Sequence, residues 1–312
     1  IPYRVAASVV KQMTPTILVA LIDRMSPQEV INNIGSLKRH GAFRNADVKA
    51  LVEAKLDEAR TDTRVSTFKA KRAVEAAGAP KDVADKLDAV TEARAKARGT
   101  IVRPTALLID KSGSMHEAIE IGKQIGAMIA GVCEAELYVY AFDTLAYAID
   151  VPGQPVAGKV KDAIRRLRGD EPAEETATPS LRDWERALAG VNAGGMTSCG
   201  VAVEIMRRKG QVVDQIVMVT DECENTAPHF VDTVQRYRAE LKADPHVVFV
   251  KTRGASTLLE HACRQAHITY DAYQFTGDYY ALPNLLPLLS RPSKLDLLLD
   301  IMAYPLPQRR AT

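Results

Sequence analysis

Three segments of this 312-residue chain carry side chains whose type and spacing suit chemistry. Asp110-Lys111-Ser112-Gly113-Ser114-Met115 sets one carboxylate and two hydroxyls close together. Ser112 and Ser114 alternate, so both hydroxyls can turn toward one point while Gly113 permits the bend between them. Gly194-Gly195-Met196-Thr197-Ser198-Cys199-Gly200 is a glycine-flanked turn that offers the Thr197 hydroxyl. Thr220-Asp221-Glu222 ends an apolar run on a carboxylate. Asp110, Asp221 and the hydroxyls of Ser112, Ser114 and Thr197 are all hard oxygen donors. That chemistry is preferred by Mg²⁺, Mn²⁺ or Ca²⁺ over zinc or copper.

Other chemistries fail on specific positions. Gly195–Gly200 has the spacing of a phosphate loop, but Val201-Ala202 follow where Lys-Ser/Thr is required. Asp110 after a strand would suit an aspartyl phosphatase, yet position 112 is Ser where a second acidic group is needed. Ser114 and His116 lack a Gly-x-Ser-x-Gly elbow, and His40, His229 and His246 stand alone. The chain is therefore read as a binding protein and not an enzyme. Cys263 and His267, four apart in a helical pattern, fit either a ligand pair or an amphipathic face.

The elements that must position these groups change character near Thr100. Residues 1–98 read as helix after helix, and 99–312 as a second domain. Thr14-Pro15 and Ser26-Pro27 place a capping side chain before a first-turn proline, and Glu29 completes a capping box with Ser26. Val30, Ile31, Ile34 and Leu37 then recur at helical spacing, with Gly41 as a stop. Asn45 opens the next helix (Val48, Leu51, Val52, Leu56), Ser66 another, and Pro80 a last one (Val83, Leu87, Val90). Lys38, Arg39 and Arg44 gather at one helix end, where cations suit the helix dipole (~0.3–1 kcal/mol) and equally suit RNA phosphate.

Beyond Thr100, strands are predicted at Thr105–Asp110, Leu137–Phe142, Gln215–Thr220, Val247–Lys251 and Ile268–Phe275, separated by helices such as 119–132 and one beginning near Ser180. Apolar strands alternating with helices specify an α/β domain, a mostly parallel sheet with helices on both faces. Ligands in such folds sit outside the carboxyl ends of the strands, where all three oxygen-rich segments fall. A basic helix at 159–168 and a mobile acidic loop at 169–179 complete the reading.

The composition fits a core-forming globular chain, with 46% hydrophobic and 26% charged residues. The longest early apolar run, Ile17–Ile22, is far short of the ~20 residues a membrane helix needs. No secretory signal pattern opens the chain, and the four cysteines form no Cys-x-x-Cys pair, so a cytoplasmic protein with reduced thiols is expected. Residues 1–100 hold 18 Lys/Arg and 12 Asp/Glu, a net +6, while the remainder holds 23 and 27, a net −4. A polyanion would therefore meet the helical part first.

Asp110-x-Ser112-x-Ser114 with Thr197 and Asp221 from later loops resembles the metal-ion-dependent adhesion site of von Willebrand factor A domains. The resemblance covers about residues 102–304. It implies a Rossmann-like fold, in which Ser112 and Ser114 ligate the metal directly. Thr197, Asp110 and Asp221 ligate it directly or through water, and an open position takes a protein partner's carboxylate. A narrower resemblance covers the whole chain. The N-terminal helices, including Met25-Ser26-Pro27-Gln28-Glu29-Val30-Ile31-Asn32-Asn33-Ile34-Gly35, are similar to the C-terminal part of the Ro 60-kDa autoantigen (TROVE-type) family. So are Ala193-Gly194-Gly195-x-Thr197-x-Cys199 and Val219-Thr220-Asp221-Glu222.

That resemblance implies HEAT-like repeats that bind small non-coding or misfolded RNAs, with the A domain closing the ring. Lys111, Gly113 and the extra Met196 depart from the pattern, and residues 153–178 read as an insertion. About a hundred helical residues make too few repeats for a ring, so further helices upstream or a partner are expected. The expected function is a Ro-like ribonucleoprotein component with Mg²⁺ (or Mn²⁺ or Ca²⁺) at the five-residue site. RNA would contact Lys38, Arg39 and Arg44, and no membrane is involved. The alternative is a metal-dependent interaction subunit that engages an ATPase or chelatase partner without RNA.

Overall fold

The computed structural model describes residues 2–66, 80–154, 178–275 and 284–291, with Leu298 and Met302. The predicted helix from Ser66, the basic helix at 159–168 and most of the 153–178 insertion lie outside these residues.

The helical segment begins at Tyr3–Val9, about two turns of helix whose start the sequence pattern does not announce, and continues with Pro15–Asp23, Pro27–Arg39 and Ala46–Ala59. Its caps follow from the residue types. The Thr14 hydroxyl accepts the Ile17 amide at 3.4 Å, and Asn45 Oδ1 accepts the Val48 amide at 3.0 Å. Both halves of the Ser26–Glu29 box close, at 3.3 and 2.9 Å. Gly41, at φ +80°, turns the chain after Arg39. Val30, Ile31, Ile34, Leu37, Val48, Val52 and Leu56 share one core. Lys81–Lys96 contributes Val83, Leu87 and Val90 to that core and Ala95 to the core of the sheet domain. Arg182, in the helix Leu181–Ala189, reaches back to Asp85 (2.5 Å) and Asp88 (3.3 Å) on it.

The second part is built on a six-stranded sheet: β1 Thr105–Asp110, β2 Leu137–Phe142, β3 Ala146–Ala148, β4 Gln215–Thr220, β5 His246–Lys251 and β6 Tyr270–Gln274. The strand order is β3-β2-β1-β4-β5-β6, all pairs parallel except β2 with β3. β1, β2 and β4 are buried at every position because helices cover both faces. Leu107, Ile109, Val217 and Val219 face helices Ile119–Gly131 and Leu181–Ala189. Ala106, Leu108, Ile216 and Met218 face Val201–Lys209, Phe230–Leu241 and Leu258–Gln265. The chain leaves β1 toward β2 and returns to lay β4 on the other side, so the order of strands reverses between β1 and β4. That switch point opens a crevice at their carboxyl ends. No helix of the described residues is long and apolar enough to cross a membrane.

Candidate metal centre

The crevice is lined by the segments that carry the oxygen donors. Asp110, the last residue of β1, is fully buried. Its Oδ1 accepts the Ser112 amide at 2.9 Å and its Oδ2 accepts the Thr220 hydroxyl at 2.7 Å, a contact that crosses from β1 to β4. Ser112 is also fully buried, and its Oγ lies 3.2 Å from Ser114 Oγ, so the alternating hydroxyls do turn toward one another. The Gly194–Thr197 turn is laced onto this loop by backbone bonds. The Gly194 amide donates to Lys111 O at 2.7 Å, and the Gly113 amide to Gly195 O at 3.0 Å. Gly195 sits at φ +80°, where a side chain would be strained, which the tight approach requires.

Thr197 is buried, and Asn225 Oδ1 accepts its amide at 3.0 Å. Asp221 is mostly buried, with Oδ1 accepting the Cys223 amide at 3.1 Å. Among the described residues, neither the Thr197 hydroxyl nor Asp221 Oδ2 has a hydrogen-bond partner. Burial pushes the Asp110 carboxyl up to about 6, with the Ser112 and Thr220 bonds pulling it down and the Asp221 charge adding to the rise. Two buried carboxylates that feel each other, with the Thr197 hydroxyl and Asp221 Oδ2 left unpartnered, form a hard-oxygen donor set of the kind a divalent cation takes. Among the described residues no three His, Cys, Asp or Glu side chains group as a metal-ligand set.

Glu222 and Glu224, which follow Asp221 closely in the chain, turn away from it. Glu222 is fully buried at φ +58°. Its amide donates to Thr220 Oγ1 at 2.9 Å, its carbonyl accepts the Ser256 hydroxyl at 2.9 Å, and its carboxylate lies 3.4 Å from Lys251 Nζ. Lys251 also pairs with Glu260 at 2.5 Å. Glu224 Oε1 accepts the Cys199 and Phe230 amides at 3.1 and 2.8 Å. Both glutamates turn inward to hold loops. Sequence reasoning quoted Thr220 and Glu222 within the third segment but did not foresee that these side chains, with Glu224, tie loops together, although a Thr ending an apolar strand beside a carboxylate is a usable signal.

Lys38, Arg39 and Arg44 are exposed at the end of Pro27–Arg39 and in the short turn after it. Cys263 and His267 are not brought together as ligands. The helix Leu258–Gln265 stops before His267, which is exposed at φ +53°, while Cys263 is fully buried. All four cysteines are free thiols.

No family model matches the sequence, and a search of curated proteins finds no match. Solved structures do match. The Ro (RSR) protein of Deinococcus radiodurans aligns over 93% of this chain and 58% of that one, with 14% identity and a TM-score of 0.54. Proximal thread matrix protein 1 of the mussel byssus covers 62% of this chain and 48% of its own, at 13% identity and TM-score 0.41. A von Willebrand factor type A protein from Catenulispora acidiphila covers 61% and 42%, at 14% identity and TM-score 0.39. The chain spans a little over half the length of the Deinococcus protein and shares its fold over that span.

Proposed function

We propose that the chain is a Ro-like, non-enzymatic component of an RNA–protein particle, whose A domain holds a divalent cation as the anchor for a protein partner. One observation carries the reading. In a fold shared with a Ro protein, Asp110, Ser112 and Ser114 form one hydrogen-bonded loop at the strand switch point, and Thr220 ties that loop to the strand end bearing Asp221. The donors fit a hard cation: two carboxylates and three hydroxyls, with the Thr197 hydroxyl and one Asp221 oxygen unpartnered among the described residues. Asp110, Ser112, Ser114, Thr197 and Asp221 would hold Mg²⁺, or Mn²⁺ or Ca²⁺, which supplies a positive charge that a partner's carboxylate can approach.

RNA is assigned to the helical segment. Its excess of positive charge and its exposed Lys38, Arg39 and Arg44 suit phosphate, whereas the metal crevice is walled by carboxylates. The test is purification of the protein from its own cells. A high 260/280 absorbance ratio that falls on RNase treatment is expected. Nucleic-acid-free protein that also fails to retain structured RNA at low salt would overturn the RNA assignment. That result would leave a metal-dependent subunit engaging an ATPase or chelatase partner.

A further inference from the structure

Lys111 stands between Asp110 and Ser112, two of the donors proposed to hold the cation. An ammonium at that position would repel a divalent ion, so what answers its charge decides what the site can bind. The Lys111 ammonium is ion-paired with the carboxylate of Asp143, just beyond β2, and the two side chains are only 16 and 11% exposed. The ammonium also lies 5.0 Å from the centre of the Tyr147 ring on β3. Asp143 is held by its own loop, where its Oδ1 accepts the Leu145 amide at 2.8 Å.

Both partners of the pair are built into the walls of the crevice. The Lys111 amide donates to Phe142 O at 2.8 Å, which draws the donor loop to the end of β2. Lys111 O accepts the Gly194 amide at 2.7 Å, and Asp143 O accepts the Ser198 amide at 3.0 Å. The turn that carries Thr197 therefore hangs from these two residues. A Cβ on Gly195 would stand 3.2 Å from Asp143 Oδ2, so the carboxylate lies directly against that turn.

A paired ammonium and carboxylate nearly cancel at a distance, whereas either one alone adds a whole charge to the crevice. Largely buried, such a charge is also screened little by salt. We propose that Asp143 neutralises Lys111 and that this charge balance sets the affinity of the site for a divalent cation. Neither residue is a ligand; the two are positioning residues whose charges must cancel for the ion to be held. This inference rests on the metal site proposed above, and its test separates the two.

Mg²⁺ affinity is measured by calorimetry for the native chain, Asp143→Asn, Lys111→Met and the double variant, with urea unfolding of each in EDTA. Asp143→Asn leaves the ammonium unanswered and should weaken Mg²⁺ binding about tenfold or more. Lys111→Met leaves the carboxylate unanswered and should tighten it by a similar factor. The double variant should return to within about threefold of the native affinity, because both charges are gone. Both single variants should lose stability in EDTA, since each leaves a largely buried charge unpaired. Stability then falls in both while affinity moves in opposite directions, which the loss of a mere strut does not produce. Asp110→Ala added to Lys111→Met should bind no Mg²⁺, which ties the gain to the proposed site.

Should Asp143→Asn fail to fold, Lys111→Met and the double variant carry the comparison, the first binding more tightly and the second near the native level. Weaker Mg²⁺ binding in both single variants, or equal affinity in all four proteins, overturns the charge balance and leaves the metal site standing. Magnesium kept by Lys111→Met after Asp110→Ala would place a separate site at Asp143 and overturn it as well. No Mg²⁺ binding by the native chain overturns both.

Discussion

Asp110 is the residue on which charge and burial meet most sharply. Its carboxyl titrates near 6 when folded, because burial opposes ionisation, against an ordinary value of 3.8. The folded state therefore holds its proton over a range where the unfolded chain has released it. Stability from this group is present below pH 4 and is lost as pH rises toward 6. In metal-free protein, wild type should lose stability relative to Asp110→Asn between about pH 4 and 6 and keep a constant deficit above that. Chemical denaturation of both at four pH values in EDTA checks this, and parallel curves would refute a carboxyl whose pKa is raised by burial.

Lys251 has the complementary role. It stands between Glu222, fully buried, and Glu260. Burial disfavours its charge, but the bond to Glu260 and the nearby Glu222 charge outweigh that and raise its pKa. Lys251→Met leaves the buried Glu222 carboxylate without a cation, while Glu260 keeps Arg264 at 3.8 Å and the Tyr270 hydroxyl at 3.4 Å, and should cost about 3 kcal/mol. Glu222→Gln in the same chain should recover part of the loss in urea unfolding, and additive losses would mean the pair is not coupled.

At the scale of elements, Gly200 shows how closely the loops of the crevice are fitted. A Cβ there would lie 2.5 Å from Pro228 O and 2.6 Å from His229 O, both backbone atoms with nowhere to move. Gly200→Ala should destabilise by about 1–3 kcal/mol. Because Ser198 Oγ donates to Pro228 O at 2.9 Å, it should also disturb the Thr197 turn. Equilibrium unfolding measures the first effect, and a change under 0.5 kcal/mol, about the scatter of surface substitutions, would show the clash is relieved.

The sequence was most legible where burial is complete on both faces. β1, β2 and β4 read as unbroken apolar runs and lie at the predicted residues, and the helix starts at Pro15, Pro27 and Ala46 follow their caps. β5 begins one residue earlier than its apolar run, at His246, because pairing with Gln215 does not need an apolar side chain. β3 is three residues at the sheet edge, too short for any periodicity to show. At the site, donor types and spacing announced the Asp110 loop. The inward turn of Glu222 was illegible, because it depends on a positive φ that a glutamate does not advertise. The Lys111–Asp143 pair joins positions 32 apart, and no local pattern reports it.

For the whole molecule, the proposed function divides labour between a basic helical segment and an acidic domain. Joint replacement of Lys38, Arg39 and Arg44 by Ala should weaken binding of a structured RNA and flatten its dependence on salt. Each lost phosphate contact should remove about 0.7–0.9 from the log–log slope. Asp110→Ala should leave RNA binding nearly unchanged, and filter binding at two salt concentrations compares them. Loss of RNA by Asp110→Ala with retention by the basic triple variant would reverse the assignment. Beneath that division lies the cation itself. Isothermal calorimetry of Mg²⁺ into the wild-type chain and Asp110→Ala tests it most directly. Saturable one-site binding by the wild type, abolished in the folded variant, is the predicted result; equal affinity in both, or no binding by either, would contradict the account.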